Sequence, residues 1–239
     1  MRTSNPALKE AFSAVMPIST EKGMTIQGTV NKSLFLVVLA FIAAMGTWVS
    51  PAAAKVLIWP ALIIGIIVAL VTVFKKEWAP ICAPIYAVVE GVVLGAVSVV
   101  FEAMYPGIVF QAVLLTFGTL FCMLAAYKTG LIRATEKFKL GVIAATGAVA
   151  MVYIIMMIAS FFGANIAVLY SSSPAGIIFS VVIVIIAALN LVLDFDFIEK
   201  GAGMGAPKYM EWYAGFSLLV TLVWLYLEVL RLLAKSKNR

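Results

Sequence analysis

Seven long apolar runs, divided by short polar breaks, set the pattern of this chain. Their lengths are close to the roughly 20 apolar residues that a helix needs to cross a bilayer. The weak alternation of polar and apolar positions argues against a transmembrane barrel. The pattern therefore predicts an all-α polytopic membrane protein, a bundle of seven transmembrane helices. The predicted segments are Leu34–Val49, Val56–Phe74, Ile81–Val100, Ile108–Tyr127, Leu140–Phe162, Ile177–Leu193 and Trp212–Leu233.

Polar sequence flanks the apolar runs on both sides. Residues 1–32 form a predicted N-terminal tail, in which Asn5 and Pro6 start a short amphipathic helix. This helix would lie on the membrane surface or pack under the bundle, and the sequence leaves both open. Residues 33–234 form the predicted transmembrane domain, and residues 235–239 a basic C-terminal tail. The N-terminal tail has no signal-peptide pattern, so the first apolar run is predicted to be a retained span.

Composition supports the membrane assignment. The chain is 64% hydrophobic and 12% charged, whereas soluble domains are about 45–50% apolar and about 25% charged. The formal net charge of +6 does not indicate a nucleic-acid partner, because the basic residues lie in loops, where they set membrane topology.

Lysine and arginine concentrate on one side of the predicted bundle. Twelve of them fall on the side of the N-terminal tail, whereas the opposite loops contain Lys55 alone. The positive-inside rule makes the N-terminus cytoplasmic. Seven crossings then place the last basic residues outside, against the rule, unless the last segment re-enters and returns its tail to the cytoplasm. These residues are Arg231, Lys235, Lys237 and Arg239.

Acids at or within apolar runs are the candidate functional residues, because an ionised carboxylate in hydrocarbon costs several kcal/mol. Asp194 and Asp196 follow the sixth run, and Glu228 lies within the seventh. Two residues apart on a helix point about 200° from each other, so Asp194 and Asp196 cannot share one site. Asp196 has Lys200 four residues on as a surface partner. Asp194 is therefore the inward candidate.

The other acids are weaker candidates. Glu90 lies mid-segment beside Gly91 and Gly95, a pair that lets another helix approach closely. A hydrogen-bonded structural role and a functional role are both open for Glu90. Glu102 is predicted at the membrane interface. Solvated surfaces are predicted for the acids in tails, loops and segment ends, which are Glu10, Glu21, Glu77, Glu136, Glu199 and Glu211.

Asp194 and Glu228 would form one site if the last two helices bring them together. Carboxylates in contact share one proton, so such a pair senses pH and offers oxygen ligands to calcium. A local ion pair of Glu228 with Arg231, three residues on, is the alternative. Straight helices place the two acids near opposite faces of the membrane, so contact requires tilt or an earlier start of the last helix.

Other chemistry has little support in the sequence. The chain has no histidine, and Cys82 and Cys122 lie inside apolar runs without CxxC spacing, so a zinc or haem site is not indicated. Both cysteines are predicted to be packed free thiols. No enzyme and no cofactor are predicted, with calcium expected only as a transported ion. Hydrolysis by paired carboxylates is the one enzymatic route that the residues leave open.

The order and spacing of these motifs resemble the Bax inhibitor-1 family, the transmembrane BAX-inhibitor-motif proteins, over the whole chain. LVLDFDFIEKG and LVWLYLEVLRLL carry the resemblance, and RTSNPAL and MTIQGTVNKS resemble the bacterial YccA-like branch. The resemblance implies a seven-helix bundle with a central last helix in a bacterial inner membrane. It also implies a pH-gated calcium leak, with Asp194 at the first acid position and Glu228 at the second, where the family commonly has Asp. Val56–Phe74 holds no basic latch residue, which leaves Arg231 as the nearest candidate.

Two function classes remain open. The first is a pH-sensitive calcium leak channel, with Asp194 and Glu228 as the ion site and Asp196, Glu90 and Arg231 as accessory residues. The second is a modulator or substrate of a membrane-bound ATP-dependent protease, with the polar N-terminal tail as its handle. A proton-coupled solute transporter would use the same acids.

Overall fold

The computed structural model describes residues 23–162 and 172–238. These residues form seven α-helices, each long and apolar enough to cross a membrane, and a short 3-10 helix at Lys76–Trp78. The predicted all-α membrane fold is confirmed. The amphipathic helix predicted in the N-terminal tail lies outside the described residues. The helices are α1 (Ile26–Val49), α2 (Pro51–Phe74), α3 (Ala79–Met104), α4 (Ile108–Lys128), α5 (Glu136–Phe161), α6 (Pro174–Gly203) and α7 (Met210–Lys237).

Three helices begin at a side-chain cap. The hydroxyls of Thr25, Thr135 and Ser173 each accept a hydrogen bond from the backbone N–H three residues on. Such a bond satisfies one of the free donors at a helix start. The Thr25 cap starts α1 at Ile26, within the stretch predicted as polar tail, so the helix includes two polar turns before its apolar run.

Helix α7 runs through the centre of the bundle. Half of its most apolar stretch is buried, against 17–39% for the other helices. On one side Leu225 packs in a cluster with Ile108 and Leu191, and on another side Phe216 packs in a cluster with Leu36. The central last helix, which the resemblance implied, is confirmed.

Helices α1 and α3 meet at two glycines. A Cβ atom at Gly91 would lie 2.2 Å from the carbonyl oxygen of Ala40, and one at Gly95 would lie 2.0 Å from the hydroxyl of Thr47. Neither position has room for a side chain. The close approach predicted for this glycine pair is confirmed.

The bundle has an N end, where α1 begins, and a C end, where α7 stops. At the N end the backbone N–H of Thr25 donates to Glu211 at 2.9 Å. At the C end Lys237 reaches the carbonyl oxygen of Pro106 at 3.5 Å. Because α7 is continuous from Met210 to Lys237, it extends from one end to the other. This arrangement agrees with seven crossings and not with a re-entrant last segment.

Candidate functional site

Asp194 lies on the face of α6 that packs against α7. By the helical rise it is about 14 Å from the last residue of α6, Gly203, which lies at the N end of the bundle. It is 7% exposed, so its predicted inward orientation is confirmed. The Ser217 hydroxyl of α7 donates to Oδ1 at 2.6 Å. Oδ2 is buried and has no hydrogen-bond partner among the described residues. The bundle interior therefore contains one carboxylate oxygen that the described part of the chain does not satisfy.

Two hydroxyl groups of α7, rather than a second acid, lie beside this carboxylate. Thr221, one turn after Ser217, also faces Asp194 and donates its own hydrogen bond to the Ser217 carbonyl oxygen at 3.2 Å. A hydroxyl can donate a hydrogen bond to a carboxylate or turn a lone pair toward a cation. The site thus offers one carboxylate and two hydroxyls as oxygen ligands.

Glu228 is buried closer to the C end, in a network with Arg231 and with Tyr153 of α5. Arg231 Nη1 lies 2.8 and 3.0 Å from the two carboxylate oxygens, and the Tyr153 hydroxyl donates to Oε1 at 2.7 Å. Glu228 is 2% exposed and the Arg231 side chain 34%. The local ion pair that the sequence left open is present. Sequence reasoning missed Tyr153, because no acid or base stands near it in the sequence.

The structure does not bring Asp194 and Glu228 into contact. Their hydrogen-bond partners differ, Ser217 for Asp194 and the Tyr153–Arg231 network for Glu228. From Ser217 to Glu228 is eleven residues of α7, about 16 Å along a helix. Eleven residues are about three full turns, so Ser217 and Glu228 lie on the same face of α7, toward the bundle interior. The two acids occupy different depths, one nearer each end, as straight helices predict.

Two further polar contacts lie on the same helices. Asn190, one turn before Asp194 on α6, donates to the Thr146 hydroxyl of α5 at 2.8 Å. Nearer the C end, the amine of Lys235 donates to the Ser180 hydroxyl at 2.8 Å. With the contacts of Glu228 and Asp194 these form a polar row, which runs between α5, α6 and α7 from the C end toward the N end. In order its pairs are Lys235–Ser180, Glu228–Tyr153, Asn190–Thr146 and Asp194–Ser217.

The accessory acids have local partners. Asp196 pairs with Lys200 at 3.1 Å, which confirms the predicted contact, and with Lys139 at 2.7 Å. Glu90 is half-buried and lies over Gly65 of α2, where a Cβ atom would be 3.5 Å from Oε2. Glu102 accepts the backbone N–H of Gly107 at 2.6 Å. It therefore holds the turn that leads into α4.

Glu211 was predicted on a solvated surface, and this prediction is wrong. Glu211 is 0% exposed and accepts hydrogen bonds from both the backbone N–H and the hydroxyl of Thr25 at 2.9 Å. It also pairs with Lys32 and, at 2.6 Å, with Lys208. A Cβ atom at Gly28 would lie 2.2 Å from its Oε1. Only Lys208 is close in sequence, so little local signal pointed to this burial.

Cysteines and acids form no larger cluster in the described part of the chain. Cys82 is buried and Cys122 is exposed, and both are free thiols, so the prediction of a packed thiol fails at Cys122. Within residues 23–162 and 172–238, no three His, Cys, Asp or Glu residues are grouped so that they could hold a metal ion.

These features define a helical membrane protein with separate polar sites inside its bundle, a class in which intramembrane carboxylates mark ion and proton pathways. The sequence model of the family described as Bax inhibitor 1 like matches residues 5–238, and the chain belongs to that family. No curated protein matches the chain, and no solved structure matches it. The predicted family is confirmed, whereas the YccA-like branch stays a prediction.

Proposed function

We propose that this protein is a pH-sensitive cation leak, with calcium as the candidate ion and the bacterial inner membrane as its location. Asp194 is the central ion site of this proposal. The observation that carries it is the buried Asp194 carboxylate, whose Oδ2 has no partner among the described residues. A buried polar atom normally has a partner, and an exception calls for an explanation such as an ion or a proton.

The charge of Asp194 sets the direction of the pH response. When ionised, its carboxylate attracts a cation, and the Ser217 and Thr221 hydroxyls can supply further oxygen ligands. When protonated, it has no charge to attract one. Cation flux should therefore fall as pH falls through the range in which Asp194 takes up a proton.

Glu228 provides a second ion-binding position closer to the C end and is not the direct partner of Asp194. In the structure its charge is neutralised by Arg231 and bound by Tyr153. A passing cation would have to replace the guanidinium group of Arg231. The Arg231 side chain is one-third exposed, so it can move toward the C end. It would then act as a latch that opens or closes the ion-binding position at Glu228.

Calcium flux into liposomes, measured between pH 5 and pH 8, tests the proposal. Asp194→Asn should lower flux at pH 8 by about tenfold or more and remove the pH dependence, since one contact to a charged group is worth about 1.5–3 kcal/mol. Glu228→Gln should also weaken the pH dependence. Asp196→Asn is the matched control and should keep the wild-type pH profile, because Asp196 is paired with two lysines at the N end.

The same assay separates the leak from the alternative role as a protease partner. A variant that lacks residues 2–20 should conduct as the full chain does, because the proposed ion site lies in the bundle. Wild-type pH profiles in both Asp194→Asn and Glu228→Gln would rule the proposal out. So would loss of flux on removal of the tail alone.

A further inference from the structure

A large apolar groove opens on the side of the bundle at its N end. It encloses about 640 Å³ between α1, α4, α6 and α7. Its walls include Val30 and Leu34 of α1, Leu120 and Leu124 of α4, and Leu218 and Leu222 of α7. Because these helices are long and apolar enough to cross a membrane, such a groove faces lipid rather than water.

The rim of the groove at the N end is basic. Lys128, at the end of α4, and Arg133, in the turn that follows, both line it and are exposed. One acid, Glu199, also lines this rim, and its carboxylate accepts a hydrogen bond from the Tyr127 hydroxyl. The rim therefore presents two cations against one carboxylate that already has a donor.

The turn between α4 and α5 carries an apolar residue between these two cations. Leu131 is 82% exposed, which is unfavourable in water and favourable at the boundary of the acyl chains. A basic pair that flanks an exposed leucine fits the level of the lipid headgroups. The amine and guanidinium groups then lie where a phosphate lies, and the leucine side chain where hydrocarbon begins.

We propose that this groove binds one anionic phospholipid. An acyl chain lies along the walls formed by α1, α4 and α7, and the phosphate lies between Lys128 and Arg133. Basic pockets between transmembrane helices bind anionic headgroups by this charge complementarity. A free phosphate would leave the apolar walls unfilled. A second copy of the chain would bring its own basic rim against this one, at a cost in like-charge repulsion.

Native mass spectrometry of the full chain in detergent tests the proposal. The protein is titrated with phosphatidylglycerol and, separately, with phosphatidylcholine of the same acyl chains. Wild-type protein should retain one phosphatidylglycerol in preference to phosphatidylcholine. In the double variant Lys128→Gln/Arg133→Gln, affinity for phosphatidylglycerol should fall by about 30-fold, from two charges near a membrane surface. Affinity for phosphatidylcholine should change little.

Two matched controls isolate the groove. Lys75→Gln/Lys76→Gln removes another basic pair of the N end, which does not line the groove, and should keep the preference. Val30→Trp fills the groove from α1 and should lower binding of phosphatidylglycerol. Val38→Trp, at a similarly exposed position of α1 that does not line the groove, should not. Thermal melting of each variant in detergent checks that it is folded.

Four results would overturn the proposal. The first is equal affinity of the wild-type protein for the two lipids. The second is an equal loss of affinity for phosphatidylglycerol in Lys128→Gln/Arg133→Gln and in Lys75→Gln/Lys76→Gln, which would mean that only net charge matters. The third is competition by glycerol 3-phosphate at the concentration of the lipid, which would assign the rim to a soluble anion. The fourth is a dimer that Val30→Trp dissociates, which would assign the groove to a second copy of the chain.

Discussion

Three buried carboxylates of this bundle are satisfied to different degrees. Glu211 has donors from Thr25, Lys32 and Lys208. Glu228 has Arg231 and Tyr153, and Asp194 has one hydroxyl hydrogen bond. Because an unsatisfied buried charge is costly, a fully bound carboxylate is suited to hold structure together. A poorly bound one is suited to exchange a proton or an ion.

Glu211 should therefore contribute to stability. In Glu211→Gln the two lysines lose their charged partner, and we expect the free energy of unfolding to fall by on the order of 3 kcal/mol. Glu136→Gln is the matched control. Glu136 also pairs with two lysines, but its side chain is 87% exposed, so its loss should cost less than about 1 kcal/mol. Denaturant unfolding in detergent measures both, and equal losses would contradict the expectation.

For single residues, the sequence predicted the orientation of a side chain better than its hydrogen-bond and ion-pair partners. The angle between Asp194 and Asp196 on a helix, together with Lys200 four residues after Asp196, was enough to predict which one turns inward. The partners of Glu228 and Glu211 were harder to predict, because Tyr153 and Lys32 lie 75 and 179 residues away. Contacts at such separations depend on how helices pack, which local periodicity does not record.

Among the helices, apolar length was a sufficient guide to number and type but not to helix ends. Helix α1 begins eight residues before its apolar run, because Thr25 caps it and Glu211 binds the cap. Helix α6 continues ten residues past Leu193. Polar turns at the N end can be helical because neighbouring side chains form hydrogen bonds and ion pairs with their polar groups. Small residues were the better local signal, since Gly91 and Gly95 did predict the contact of α3 with α1.

Helices α1 and α3 should move apart if a side chain is placed at the glycine contact between them. In Gly95→Ala the new methyl group would meet the Thr47 hydroxyl and the Ala44 carbonyl, and such overpacking costs about 1–3 kcal/mol. Gly118→Ala in α4 is the control. A Cβ atom there has nothing within 4 Å, so alanine should stabilise the helix by roughly 0.5–1 kcal/mol. Melting temperatures should move in opposite directions, and a shift of the same sign in both would contradict this account.

For the molecule as a whole, the distribution of charge and the path of α7 point to different locations for the C-terminal basic residues. The distribution of lysine and arginine predicts the N end in the cytoplasm, yet the continuous α7 places its own basic residues at the C end of the bundle. Burial at the centre of the bundle would allow α7 to cross the membrane despite these charges. Its apolar faces pack against α1, α3, α4 and α6, and the basic residues of its last turns find acceptors at the C end.

Labelling of intact cells with a membrane-impermeant maleimide should show this topology. In a Cys82→Ala/Cys122→Ala background, Ser50→Cys and Lys237→Cys at the C end should react. Glu77→Cys at the N end should react only after the cells are opened. All three positions are exposed in the structure. Protection of Lys237→Cys together with labelling of Ser50→Cys would mean that the last helix does not cross.

The network around Glu211 also bears on how the protein is made. Thr25 and Glu211 are 186 residues apart, and Met24 hydrogen-bonds Ala206 through the backbone. During translation the first helix enters the membrane long before the ribosome has produced the groups that secure it. Chains that stall before the last helix lack the core onto which the earlier helices pack.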